Sequence, residues 1–312
     1  MKSIKKRGFL DISFSWIFAL LVGALILFGA VYFVNKAANV ENSANSAGAG
    51  SSFINLLNPL QTGLETGKSI LLTMPTNSQI VHQCDSTGNF GRDKILIEEY
   101  INNRWSNTGV NISAPDKYIF FQNGIQGRNF YATSKSFEFP FKIADLIYIT
   151  NADQKYCFKG FPQSNVVELQ NLNQKNFEFD TCSQNATTIC YNMNINCDIK
   201  VDYSNREVIK KNGVVYFEED ALMYAAIFSD KENYECEVQR LMKRGGEISK
   251  IYQTESLNVL TVGCNSPVKA DLSNLGSLFQ SVKSSDKLYT IASFLDSTNL
   301  DSNNKNSGCT LW

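Results

Sequence analysis

Polar and apolar positions divide this chain into stretches of different period. The first is Ile12 to Val34, 23 residues without a charged side chain, with Lys2, Lys5, Lys6 and Arg7 before it and Lys36 after it. As a helix it reaches roughly 34 Å, more than a hydrocarbon core of about 30 Å. The pattern therefore predicts a transmembrane helix over 9–35. Four basic residues ahead of it and one behind place the amino terminus in the cytoplasm by the positive-inside bias, with the rest of the chain facing outward.

From Lys36 to Ser52 the composition turns to Ala, Asn, Ser and Gly. Large apolar groups are too few there to pack, and a flexible stem is expected. Phe53, Ile54, Leu56, Leu57 and Leu60 form a short helical face broken by Pro59. Runs rich in branched and aromatic residues follow at 80–84, 94–100, 117–121, 137–143, 146–150 and 176–180, and they read as strands. Pro140 assigns the fourth run to a sheet edge or a strand end. The pair 206–211 and 214–217 around Asn212-Gly213 predicts a two-residue hairpin.

Beyond Phe217 the period becomes helical. Ser229 to Glu232 reads as a capping box ahead of a stripe of Tyr234, Val238, Leu241, Met242, Ile248 and Tyr252, and Gly245-Gly246 predicts a bend in its middle. Two shorter stripes follow, one on Val268, Leu272, Leu275, Phe279 and Val282, the other on Leu288, Ile291 and Leu295. Asp296 to Asn306 is oxygen-rich without the order of a calcium loop, and a mobile loop is expected. The predicted class is α+β: an N-terminal transmembrane helix, then a disulfide-stabilised ectodomain with a mainly antiparallel sheet and a C-terminal helical part. Its divisions are a basic leader over 1–8, the helix over 9–35, the stem over 36–52 and the outer domain over 53–312. That domain is strand-rich over 67–217 and helical over 218–300.

Composition narrows the functions open to such a chain. With 21 Phe and 13 Tyr the outer part has ample surface to bury, so it folds. Twenty-nine basic against 30 acidic residues leave no sustained positive field, which argues against nucleic acid. All eight cysteines (Cys84, Cys157, Cys182, Cys190, Cys197, Cys236, Cys264 and Cys309) lie beyond the apolar helix, on the side read as oxidising. They are disulfide candidates, up to four bonds, whose connectivity spacing does not fix. Cys236 with Cys264 is one expected pair, closing a helical hairpin, with Cys309 tying the carboxyl end to the strands. No Cys-x-x-Cys occurs and His82 is the only histidine, so no metal site is assigned.

The leader carries a resemblance. Lys5-Lys6-Arg7-Gly8 followed by Phe9-Leu10-Asp11-Ile12-Ser13-Phe14 resembles the class III signal peptide of archaeal type IV pilin-like proteins. The resemblance implies cleavage by a prepilin peptidase between Gly8 and Phe9, with the helix retained. Where bacterial pilins carry a glutamate fifth after the cut, this chain has Ser13. The segments Pro140 to Tyr148 and Tyr234 to Arg244 and the closing Cys-Thr-Leu-Trp look like a group of uncharacterised archaeal membrane-anchored proteins with similar leaders. That likeness brings no activity with it. In the helix, Ser15, Ala19, Gly23 and Ala30 form a small-residue face that a second helix can approach, either another copy or a different partner.

Candidate chemistry is sparse. Gly63 to Ser69 has three residues between its glycines where a phosphate loop needs four, and it reads as a turn. Asp85 to Gly88 is one residue off an aspartic-protease signature and reads as a loop. A serine or cysteine nucleophile would have only His82 as its histidine base, and no Gly-x-Ser-x-Gly elbow is present. Glu98-Glu99 and Glu218-Glu219-Asp220 offer the paired acids a glycosidase needs, though neighbouring acids on a strand point to opposite faces. Asn111-Ile-Ser113 and Asn185-Ala-Thr187 match the N-glycosylation acceptor pattern. No residue is assigned a catalytic, cofactor-binding or metal-ligating role. The expectation is a single-pass cell-surface protein that acts by binding or assembly, its partners the bilayer, other transmembrane helices or itself, and an outer ligand or protein. A membrane-tethered hydrolase using carboxylates is the alternative.

Overall fold

The computed structural model describes residues 14–62, 67–101, 103–105, 111–193, 196–261, 263 and 266–312. It falls into two compact units, Met1–Asn45 and Ser46–Trp312. The first consists, among its described residues, of the opening part of helix α1, Phe14–Leu56. Within α1, Trp16–Lys36 is 21 residues long, apolar enough to cross a membrane, and buried nowhere. The segment 36–52, expected as a flexible stem, is helical throughout. Alanine favours helix, and Gly48 and Gly50 cost only about 1 kcal/mol each against it. The last turns of α1 are held by tertiary packing instead: Gly50, Phe53 and Ile54 are buried in the second unit, and a side chain at Gly50 would strike Ile112. After α1 comes α2, Asn58–Gln61, with Pro59 in its first turn, where a missing N–H costs nothing.

The second unit is built on two sheets. The larger has strand order β3-β2-β1-β6-β7-β5, with β4 also on β2. Its strands are β1 (Ser69–Asp85), β2 (Arg92–Ile101), β3 (Arg104–Trp105), β4 (Asn111–Ser113), β5 (Tyr118–Phe120), β6 (Ile125–Glu138) and β7 (Lys142–Asn151). Pairing is antiparallel except between β5 and β7. The run 137–143 is therefore not one strand: it turns at Phe139-Pro140 from β6 into β7. This sheet is covered on both faces, because successive side chains alternate between two cores. Ile147 and Ile149 of β7 join Phe53, Leu57 and Leu60 in one, while Leu146 and Tyr148 join the helices in the other.

The smaller sheet has the order β13-β12-β11-β10-β8-β9. It comprises β8 (Tyr156–Lys159), β9 (Phe177–Phe179), β10 (Thr187–Tyr191), β11 (Ile199–Asp202), β12 (Glu207–Lys210) and β13 (Gly213–Tyr216), with α3 (Gln163–Asn171) between β8 and β9. Here β8, β9, β10 and β11 pair in parallel, so the expected antiparallel character holds for the first sheet and only for β11 to β13 of the second. The predicted hairpin is present as β12 and β13. Its turn falls at Lys211-Asn212, with Gly213 already paired to Lys210 at φ 130°.

Helices close the unit. They are α4 (Glu219–Phe228), α5 (Lys231–Thr261), α6 (Lys269–Ser281), α7 (Leu288–Thr298) and α8 (Leu300–Asn306). Every residue of α4 from Ala221 to Phe228 is buried. The cap of α5 is Asp230, whose carboxylate accepts the Asn233 backbone N–H at 3.0 Å, while Ser229 turns back to donate to the Ala225 carbonyl. Asp296 to Asn306, expected as a mobile loop, is the end of α7 plus α8. Asn304 anchors it from a buried position, accepting from the Leu311 N–H and donating to the Trp312 carbonyl.

Three disulfides join Cys84 to Cys236, Cys157 to Cys182 and Cys190 to Cys197. The expected Cys236–Cys264 pair is not made, because Cys236 faces β1 from the first turns of α5. Cys264 lies outside the described residues. Cys309 is also disulfide-bonded, but the strand cysteines are all paired elsewhere, so it does not tie the carboxyl end to them.

Gly245-Gly246 does not interrupt α5, which continues to Thr261. The two glycines admit α6 closely instead: a side chain at Gly245 would sit 3.1 Å from Ile143 and 3.2 Å from the Phe279 ring. Gly245→Val should therefore overpack this contact and destabilise the unit by about 1–3 kcal/mol, read as a lower denaturation midpoint with an unchanged helical spectrum.

Candidate functional site

Among the described residues of the second unit, polar side chains gather in a buried ionic cluster and, separately, around an open cleft. The first is fully enclosed. His82 on β1, Asp93 on β2, and Glu237 with Arg240 on α5 have no side-chain exposure at all. His82 Nε2 lies 2.5 Å from Asp93 Oδ1 and 3.5 Å from Glu237 Oε1, and Arg240 Nη1 donates to both Glu237 oxygens at 2.7 and 2.8 Å. The same guanidinium bridges two loops, donating to the carbonyls of Phe90 between β1 and β2 and of Pro115 and Lys117 between β4 and β5. Its plane rests over the Tyr118 ring at 4.9 Å. Cys84–Cys236 locks the same two elements one or two residues away.

Electrostatics fix the protonation of this cluster. Burial alone would lower the His82 pKa, but the Asp93 and Glu237 carboxylates beside it outweigh that and push it up to about 10. Asp93 is pushed up to about 6 by burial and by the like charge of Glu237, against the pull of His82 and Arg240. With His82 protonated, two cations face two anions and the enclosed charge is zero.

His82, Asp93 and Glu237 also place one donor atom each within 4.8 Å of one another. They fit a proton better than a metal ion. Two ligands of one zinc-like ion stand about 3 Å or more apart, wider than the 2.5 Å between His82 and Asp93. A divalent ion with neutral His82 would leave a net positive charge beside Arg240, in a space that tolerates none unpaired. Nothing outside the protein reaches these side chains, so the cluster is structural, and no catalytic role is drawn from it.

The second place is an open polar cleft of about 510 Å³. Its walls are the turn between β11 and β12 (Ser204, Asn205, Arg206), the end of β13 with Phe217 and Glu218, Asp286 of the 3-10 turn Ser285–Lys287, and one face of α7. Tyr289, Ala292, Ser293 and Asp296 recur on that face at helical spacing. Ser285 sets the distance across the cleft, its hydroxyl accepting the Tyr216 N–H at 2.9 Å and donating to Glu235 at 2.7 Å. Arg206 stacks over Tyr203 at 4.3 Å and stands 3.8 Å from Glu218, and its Nη1 is enclosed without an acceptor. Glu218 is 9% exposed, and burial raises its carboxyl above the ordinary range, with Arg206 opposing.

The sequence-predicted positions scatter. Glu218 enters the cleft, but Glu219 and Asp220 begin α4, and Asp220 accepts from Asn165 and Tyr203. Glu98 and Glu99 sit half-exposed on β2. Asp85 makes a local turn by accepting the Thr87 N–H. Ala19, Gly23 and Ala30 are exposed on α1, where Ala19 and Gly23 line a shallow groove with Trp16, Leu20, Ala24 and Leu27. The Ser15 side chain, Gly8 and Phe9 lie outside the described residues, as do Gly63 to Thr66.

His82 contributes stability that is fully present below pH 6.5 and lost as pH rises through about 10. The Asp93 penalty runs the same way, being present above about 6 and relieved toward 3.8. The full chain in lipid nanodiscs should thus lose stability steadily between pH 6.5 and 10. His82→Gln should flatten that slope and cost about 3–5 kcal/mol at pH 6. Adding Asp93→Asn should recover part of the loss, as a double-mutant cycle by chemical denaturation would show.

No family model matches the chain, and comparison with curated proteins and with solved structures returns no match.

Proposed function

We propose that the chain is a single-pass, membrane-anchored extracytoplasmic protein that acts by binding or assembly, as a pilin-like or pilus-associated component of the cell surface. The observation that carries this reading is α1. One end of that helix is a 21-residue apolar stretch with no buried residue; its other end buries Phe53 and Ile54 in a disulfide-bonded unit. Exposed Trp16, Leu20, Leu25, Phe28 and Phe33 have no place in water. A bilayer covers them, and disulfides persist on the oxidising side of it. A helix continuous from the apolar span into the folded unit suits a subunit presented by its first helix. Ala19 and Gly23 offer a close approach to a neighbouring span.

A second reading, a tethered hydrolase using carboxylates, draws on one observation. Glu218, its carboxyl raised by burial, lines the same cleft as Asp296. It requires turnover of a nitrophenyl glycoside that Glu218→Gln abolishes.

The leading reading places the chain in the membrane fraction with its bulk removed by protease added to intact cells. Intact mass of the membrane-extracted chain should begin at Phe9 if the leader is of the prepilin kind and at Met1 if it is a plain anchor. A start near Gly50, or a bulk that survives shaving of intact cells, rejects the topology.

A further inference from the structure

A groove of about 790 Å³ runs along α5 from Glu247 to Val259, with Phe90 of the loop between β1 and β2 also lining it. That stretch of helix is about 18 Å long. Its apolar residues stand in water: Ile251 is 62% exposed, more than any other large aliphatic side chain described in the second unit, and Phe90 is 48% exposed. The loop that carries Phe90 is held in place. Lys243 donates to the carbonyls of Ser86 and Gly88, Arg240 donates to the carbonyl of Phe90 itself, and Gly91 turns at φ 64°, where a side chain would strike the Asp85 carbonyl. An aromatic fixed in this way beside an exposed aliphatic face loses little freedom on docking, as suits the anchor of an interface.

Charge identifies the occupant. Lys250 and Glu255 line the groove on either side of its midpoint. Lys250 pairs only within its own helix, with Glu247 at 2.7 Å, and Glu255 has no ion pair among the described residues. A two-fold contact requires one patch to complement itself, so that residue i meets j and j meets i. Two α5 helices laid antiparallel about an axis midway between Lys250 and Glu255 meet that condition. Each Lys250 then faces the other Glu255, and the two Ile251 side chains come within one helical turn of each other at the centre. A parallel pair would set like charge on like. With acids and a base on the same wall, the groove suits neither a polycation nor a polyanion.

We propose that a second copy of this chain docks in this groove, α5 antiparallel to α5, with Phe90 and Ile251 at the centre and two Lys250–Glu255 pairs at the rim. This names the partner in the assembly role proposed above and rests on that role for its setting.

Sedimentation velocity of the full chain in detergent micelles tests it, over a concentration series reaching about 100 μM, where even a weak specific pair is populated. The chain should show a monomer–dimer equilibrium. Ile251→Asp should weaken it by at least about thirtyfold, the share of a central anchor. Lys250→Glu and Glu255→Lys should each weaken it by about tenfold, because each acts at two symmetry-related contacts. The double variant should return to within about threefold of the unmodified chain. All three side chains are exposed, so the variants fold, which circular dichroism checks. A chain monomeric throughout the series, a dimer unmoved by Ile251→Asp, or a double variant no tighter than the single ones overturns the proposal. Association through the apolar span of α1 gives the second of these results. The measurement is indifferent to topology: shaving of intact cells can reject the surface location while the dimer stands, and a monomer rejects this partner while the location stands.

Discussion

Four charges in one dry space hold the larger sheet against α5. Arg240 has no exposure, and its donors are spent on Glu237 and on three loop carbonyls. Removing water from such groups is tolerable only because charges of opposite sign face one another there. The matching is possible only when β1, β2 and α5 stand at one separation and register, which Cys84–Cys236 also enforces covalently. In the chain-entropy model that bond, closing 152 residues, removes roughly 5 kcal/mol of unfolded-state freedom. Its larger effect is to set the ionic groups face to face. An ordinary apolar contact would let α5 slide by a turn, whereas a buried carboxylate left without Arg240 would not be tolerated.

Much of this architecture was legible in the chain. The uncharged run and the stripes of α5, α6 and α7 follow from period, and the hairpin from the Asn212-Gly213 turn signal. What period misses is the ionic cluster, although its traces are there. Asp93 falls in step with Ile95 and Ile97 on the buried face of β2. Glu237 and Arg240, three apart, interrupt the apolar stripe of Tyr234, Val238 and Leu241. A charge on an apolar face announces a partner, but which partner depends on long-range pairing that no local pattern carries. The Cys84–Cys236 bond was missed for the same reason, as the helical-hairpin pairing looked only at neighbours in sequence.

The stem shows a different limit. Small and polar residues over 36–52 say nothing for burial, yet the segment is helical because it is flanked by two strong commitments. Its front is an apolar run that hydrogen-bonds only within itself, and its back docks Phe53, Ile54 and Leu57 under the larger sheet. Helix between two anchored ends needs no new nucleus. Glycine at 50 is there because nothing larger clears Ile112, so a residue of the segment expected as a flexible stem is a packing residue. Gly245 and Gly246 repeat the lesson in α5.

The cleft depends on the rest of the fold through a single short turn. Ser285 bonds to β13 on one side and to Glu235 of α5 on the other, so α7 stands where α5 and the smaller sheet together place it. Arg206 arrives by a separate route, at φ 56° in the turn that leads into β12. That conformation is costly for a side chain of its size, and it lays the half-exposed guanidinium over Tyr203, 3.8 Å from Glu218. The hairpin therefore does more than terminate the smaller sheet: it carries one wall of a polar cleft to the face of α7. Four elements distant in sequence meet there, so adjacent acids such as Glu218 and Glu219 could not have indicated it. Only one of that pair faces the cleft, and its counterpart across it, Asp296, comes from the stretch that composition alone reads as loop.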